Sequence, residues 1–334
     1  MYDIANALLS LLIVMALLKH FNHKAKAETE TGLGANVNYN GGRFFNKDGT
    51  ANIEMRGISF FSRFNIYHLL LSLPTWKFLF SIILSFVGIN LLFACIYLLI
   101  GMEHLGGMVA NTNAEKFGEA FFFSAQTFTT VGYGRINPIG FATSFAAALE
   151  ALIGLMSFAL ITGLLYGRFA RPRAYINYSK NALFSPFRGG TAFMFRIVPY
   201  TKNFLVNVEA RVTLSMQILD DDGIKKNKFF TLQLDIAKAN SLISNWTIVH
   251  LINEESPFYN LSKEDIENAN IEVLILIQGF DESFANTVIS RGSYIAKEFV
   301  HGAKFLPMYH PNKANTKTVL NLDKLDAYKL EVKI

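Results

Sequence analysis

Two long stretches of this chain carry almost no charge. Residues 78–102 form a run of twenty-five without a charged side chain, and as a helix they would rise about 37 Å, enough to cross a hydrocarbon core with some tilt. Trp76 and Lys77 stand at its start, where an amphipathic ring and a long-stemmed ammonium suit the headgroup layer. A second run, residues 139–167, has Glu150 as its one charge and would extend about 43 Å, so its end is expected to protrude from a bilayer. Just before the first run, Phe60, Phe61, Phe64, Tyr67, His68 and Leu71 recur at helical spacing with Arg63 and Asn65 off the stripe, and Pro74 closes the segment. This predicts a short amphipathic helix lying in the membrane interface.

From about residue 190 the texture changes to short β-branched and apolar runs at 192–198, 206–219, 229–235, 246–251 and 271–278, separated by turn signals at 220–223 and 253–257. Such spacing predicts an antiparallel β-sandwich of immunoglobulin-like type. Ser262 and Asp265 have the spacing of a capping box, so one short helix is expected among the strands.

Composition agrees with the pattern, since 51% of the residues are apolar and only 17% charged, oilier than a soluble protein of 334 residues. The net charge of +5 is not gathered with aromatics into a nucleic-acid stripe. It marks topology instead: Arg168, Arg171, Arg173 and Lys180 follow the second span with no acid among them, while Glu103, Glu115 and Glu119 lie between the spans against Lys116 and Arg135. By the positive-inside rule the segments before residue 76 and after residue 167 both face the cytoplasm of a multi-pass protein in the cell membrane. A single cysteine, Cys95, excludes an intrachain disulfide or a multi-thiolate zinc site and reads as a packing residue. Residues 1–40 admit three readings: a cleaved signal peptide, which conflicts with this orientation, a further short membrane helix, or an extension from an upstream start.

Between the spans, Thr130, Val131, Gly132, Tyr133 and Gly134 spell TVGYG. A potassium ion must exchange its water for oxygens, and a run of backbone carbonyls aimed at one axis supplies them. Consecutive carbonyls point the same way only if the dihedrals alternate in hand, and Gly132 and Gly134 take positive φ at little cost. The sole expected metal is K+ at this filter. One chain supplies one wall, so a homotetramer is expected. The preceding apolar segment, residues 117–129, is predicted as a pore helix whose carbonyl end favours a cation.

On these residues the chain resembles the inward-rectifier potassium channels, most closely their prokaryotic members. The resemblance runs from residue 43 to the carboxyl end and rests also on GRFARPR at 167–173, WTIVHLINEESPFYNLSKEDI at 246–266 and SRGSY at 290–294. It implies a tetrameric pore of two transmembrane helices and a pore helix per subunit, with a cytoplasmic β-sandwich. The corresponding parts are an extension (1–40), a cytoplasmic amino terminus with interfacial helix (41–74), a pore domain (75–170, with outer helix 76–102, filter 130–134 and inner helix 138–170) and the sandwich (171–334). By position, Gly154 matches an inner-helix glycine that permits bending, although a small residue for close packing serves equally. Phe158 and Tyr166 match positions that narrow the pore and gate it. Arg168, Arg171, Arg173 and Lys180 match a linker that contacts anionic lipid, including phosphoinositide, or serve as ordinary positive-inside anchors.

The departures matter as much. Where strong rectifiers have acids, this chain has Phe158 and Gln278, leaving Glu209 as the acid of the cytoplasmic pore, so block by polyamine or Mg2+ is expected to be weak. The acid that braces the filter in many relatives is Gln126 here. Glu150, an intramembrane carboxylate, either adds to the cavity's affinity for cations or acts as a strut behind the filter. The expected function is passive, lipid-modulated potassium conduction with no enzyme activity and no cofactor beyond the permeant ion. The rival is a membrane-anchored β-sandwich binding subunit without flux of its own.

Overall fold

A computed structural model describes residues 22, 24–28, 43–54, 56–57, 66–201, 204–219 and 225–331. The chain divides into two compact units, residues 55–171 and the remainder. The expected turn at 220–223, the stripe residues Phe60, Phe61 and Phe64, and most of residues 1–40 lie outside the described residues.

The first unit is helical: α1 (Ile66–Ser72), α2 (Thr75–Ile100), the two-residue strand β1 (Leu105–Gly106), α3 (Asn113–Phe128), its partner β2 (Asn137–Pro138) and α4 (Phe141–Phe169). Local chemistry sets the ends. Pro74, with φ −54°, caps the start of α2, and Gly101 at φ +118° stops it two residues short of the expected 102. α3 begins four residues before the expected 117, because Thr112 and Glu115 form a capping box. α4 starts only at Phe141, since Gly140 at φ +83° cannot continue a helix, and the expected start at 138 is therefore too early.

The three long elements meet over Phe93, Ala94, Tyr97, Ala120, Phe123, Ala146 and Ala147, with the Tyr97 and Phe123 rings edge to face at 5.2 Å. Much of the oil stays outside this core: Leu79, Phe80, Ile83, Leu84 and Leu99 on α2, and Phe145, Leu152, Leu155 and Met156 on α4, are exposed. Helices apolar on their outer faces fit hydrocarbon or a neighbouring subunit, not water. Cys95 is also exposed on α2, not packed inside the chain as expected.

The second unit is a β-sandwich. Its strands are β3 (Ile176–Tyr178), β4 (Ala182–Phe187), β5 (Gly190–Pro199), β6 (Leu205–Leu219), β7 (Lys225–Thr231), β8 (Lys238–Leu242) and β9 (Trp246–Leu251); after helix α5 (Lys263–Asn268) come β10 (Glu272–Asp281), β11 (Asn286–Ile295) and β12 (Phe299–His301). One sheet runs β11-β10-β6-β7 with β8 also on β6, and the other runs β12-β4-β5-β3 with β9 also on β5. Alternation builds the core: Val208, Ala210, Val212 and Leu214 of β6 point inward with Ile275 and Ile277 of β10, and they meet Phe193, Phe195 and Ile197 of β5. α5 starts on the expected box, Ser262 accepting from the Asp265 amide.

The expected sandwich of antiparallel sheets is present, with one parallel pair in it: the chain leaves β11 in one sheet, turns through Ala296–Glu298 and reaches the edge of the other sheet as β12, running parallel to β4. The run expected as a strand at 229–235 is β7 at Lys225–Thr231, since after Thr231 the chain bends away and the Asp235 amide donates to Val249 in the opposite sheet (2.9 Å).

Two amino-terminal pieces belong to this unit. The Asn22 amide donates to the carbonyls of Glu254 (2.7 Å) and Ser256 (2.9 Å), and the Glu28 amide donates to Phe229 at the edge of β7 (2.8 Å). Farther along, the buried Glu272 carboxylate accepts from the amides of Phe44 (2.6 Å) and Phe45 (3.3 Å), while Arg43 donates to Glu298 (2.9 Å). Burial pushes the Glu272 carboxyl above the usual range, against the pull of those two amides.

Candidate ion pathway

α3 ends by turning its own carbonyls to a second use. The Gln126 carbonyl accepts from the amides of both Val131 (2.9 Å) and Gly132 (3.3 Å), which turns the chain at the carboxyl end of the helix. The next five residues alternate strictly in hand: φ is +59° at Thr130, +52° at Gly132 and +83° at Gly134, with Val131 and Tyr133 on the ordinary side. Such alternation turns successive carbonyls toward one side of the strand, in place of the two sides of a β-strand. Glycine meets this at two of the three positions. Thr130 is the third, and a left-handed β-branched residue costs of order 1–2 kcal/mol, a strain held by the Thr130 amide donating to Thr127 (3.0 Å). The sequence pointed to the two glycines and not to Thr130. Val131 and Tyr133 are exposed in the single chain.

Behind α3 lies a buried polar cluster. Tyr97 of α2 donates to Glu150 Oε2 of α4 (2.6 Å), and Ser124 Oγ of α3 lies within hydrogen-bond reach of Asn90 Oδ1 of α2 (2.9 Å) and of Glu150 Oε1. Asn90 completes its own pairing by donating to the Phe86 carbonyl (2.7 Å). Asn90, Ser124 and Glu150 are fully buried, so this carboxylate joins three helices and does not face open space within the chain. Its partners Tyr97 and Ser124, and Asn90 behind Ser124, were not evident in the sequence, because they lie on two other helices, α2 and α3, far from Glu150 along the chain.

One turn beyond Glu150, Gly154 meets the last turn of α3. A Cβ there would lie 2.0 Å from the carbonyl oxygen of Phe128, and α4 continues unbroken through the position. Phe158 and Tyr166, farther along α4, are exposed in the single chain.

Directly after Gly134, Arg135 Nη1 donates to Glu119 Oε1 of α3 (2.9 Å), and Glu119 Oε2 accepts from the Val109 amide (3.1 Å). In the sequence both charges figure only in the charge balance between the two spans; the signal for their pairing is an acid in the segment expected as a pore helix and a base directly after the last glycine.

The basic linker residues separate. Arg168 donates to the carbonyls of Leu70 (2.7 Å) and Leu73 (2.8 Å) at the end of α1 and stacks over Phe78 at 4.5 Å. Lys180 pairs with Asp326 (3.3 Å), while Arg171 and Arg173 are exposed. In the sandwich, Glu209 stands opposite Gln278 in the β6–β10 register. It is paired with Arg211 (3.1 Å) and Lys238 (3.6 Å). The Arg211 guanidinium holds its carboxyl below the usual range, so it is ionised but locally neutralised.

Residues 176–332 match the inward rectifier potassium channel C-terminal domain, and residues 86–170 match the ion channel family. The inward rectifier potassium channel Kirbac3.1 of Paramagnetospirillum magnetotacticum is 31% identical over 268 residues, which is 80% of this chain and 89% of the relative. The ATP-sensitive inward rectifier potassium channels 12 of Gallus gallus and Mus musculus are each 26% identical, over 81% of this chain and 68% of their own. Among solved structures, the sporulation control protein Spo0M of Bacillus subtilis overlaps 36% of this chain and 46% of its own at 9% identity and a TM-score of 0.20, too distant to bear on fold or function. Among the described residues, two helices are long and apolar enough to cross a membrane, the sandwich matches one domain and the helical unit the other, and with the 31% identity over four-fifths of the chain they lead to one conclusion: the chain belongs to the inward rectifier potassium channel family, prokaryotic type.

Proposed function

We propose that four copies of this chain surround one axis and conduct potassium passively across a cell membrane, with both termini in the cytoplasm. The observation that carries this reading is the alternation of hand at Thr130, Gly132 and Gly134. With four such strands, rings of carbonyl oxygens replace the hydration shell of an ion at successive levels, and Thr130 adds a hydroxyl at the inner mouth. α3 presents its carbonyl end to the cavity below, where the helix dipole favours a cation.

The remaining roles follow from position and chemistry. Phe158 and Tyr166 form aromatic rings that close the inner pore by dewetting. Glu150 is a strut behind the filter, and Gly154 is a packing glycine at which α4 seats against α3, not a hinge. Arg171 and Arg173 meet anionic lipid headgroups, whereas Arg168 holds the end of α1. Glu209, neutralised by Arg211 and Lys238 and facing Gln278, leaves little field for polyamine or Mg2+ block.

Purified protein reconstituted in liposomes, with and without anionic phosphoinositide, tests this reading. A particle mass of four chains together with potassium efflux into sodium medium is expected. A monomer or dimer, or no efflux under any lipid condition, overturns it and turns attention to a membrane-anchored binding module.

A further inference from the structure

Arg135 comes directly after the last filter glycine, so in the proposed tetramer four guanidinium groups stand around the mouth where potassium enters or leaves. Unopposed, such a ring raises the local potential and drives cations away. Each one has a counter-charge in its own chain. Glu119, four-fifths buried on α3, accepts from Arg135 Nη1 at 2.9 Å and from the Val109 amide at 3.1 Å. The same guanidinium reaches the Gly107 carbonyl at 3.4 Å. The backbone is equally close-fitting there: Gly107 has φ +79°, and a Cβ on it would lie 1.8 Å from the Arg135 carbonyl oxygen. The loop after β1, the pore helix and the exit of the filter are thus tied at one point.

From this arrangement we infer that Glu119 is a positioning residue that sets the rate of cation entry, by pinning the Arg135 side chain against the pore helix and cancelling its charge. Gln126, behind the filter, has no charge to do this. The inference rests on the potassium-channel reading above. A paired charge presents a dipole whose field falls off within a few ångströms, whereas a bare cation near the mouth acts over about a Debye length of 8–10 Å.

The test is single-channel potassium conductance of the full-length protein in planar bilayers, at low ionic strength and again with added impermeant salt. Glu119→Gln is expected to lower conductance about three- to tenfold at low ionic strength, with most of the loss recovered in salt. Glu119→Gln/Arg135→Gln is expected to return near wild type, and Arg135→Gln alone to equal or exceed it. A double variant as impaired as Glu119→Gln, or a loss that salt does not change, indicates a merely structural contact and overturns the inference. If Glu119→Gln does not assemble, Arg135→Gln decides: reduced conductance at low ionic strength overturns it. Wild-type protein without potassium current overturns the channel reading and this inference with it, whereas wild-type current with an unaffected Glu119→Gln overturns this inference alone.

Discussion

A methyl group at position 154 has nowhere to go, because the atom it would strike is backbone, the Phe128 carbonyl oxygen, and not the flexible end of a side chain. Gly154→Ala must therefore push α4 away from the end of α3, at a cost of about 1–3 kcal/mol typical of overpacking. Thermal unfolding of the detergent-solubilised protein should show a clear drop; an unchanged midpoint would favour the hinge reading over the packing one. In the sandwich, His250 is buried with Nδ1 on the Gln233 carbonyl (2.7 Å) and Nε2 on Ser256 Oγ (2.8 Å), a pairing suited to the neutral ring that donates from Nδ1 and accepts at Nε2. Burial lowers its pKa below the usual imidazole value, so on acidification the unfolded chain takes the proton first. Its contribution to stability is present above the usual imidazole range and is lost as pH falls through the lowered value. Denaturant melts of the full chain at stepwise lower pH should show a steeper loss for wild type than for His250→Gln, and parallel curves would contradict the assignment.

Elements are held by pairings that cross between helices. Arg168 uses its fork on the carbonyls of Leu70 and Leu73, which the end of α1 leaves without helical partners. Charge-assisted bonds of this kind are worth about 1.5–3 kcal/mol, so Arg168→Gln should loosen α1 and speed hydrogen exchange at residues 66–73 without lowering affinity for anionic vesicles. Lost vesicle binding with unchanged exchange would return Arg168 to the lipid-contacting set. The Glu150 cluster acts at the same scale. Glu150→Ala leaves the buried Tyr97 hydroxyl unpaired, at about 1–3 kcal/mol, and Ser124 with Asn90 alone, and should destabilise the protein more than Glu150→Gln, which can still bond to both. Equal loss in the two variants would argue against a strut.

For the whole molecule, the parts that declare themselves locally were legible in advance. Two uncharged runs, short β-branched and apolar runs between turn signals, the capping box at Ser262 and the TVGYG string each depend on residues within a few positions of one another. What escaped depends on distant partners: the parallel β12–β4 pair, Arg168 on α1, Tyr97 and Ser124 on Glu150, and Arg135 on Glu119. Thr130 escaped for the opposite reason, since its local preference is against the conformation that the flanking structure imposes. In the proposed tetramer, main-chain oxygens discriminate between two alkali metal ions. Reversal potentials of reconstituted channels, with potassium on one side of a bilayer and sodium on the other, measure that discrimination directly. A potential close to the potassium limit in wild type, collapsing toward zero or disappearing with the current in Tyr133→Ala, is the predicted result; a wild-type potential near zero, or undiminished selectivity in Tyr133→Ala, would contradict it.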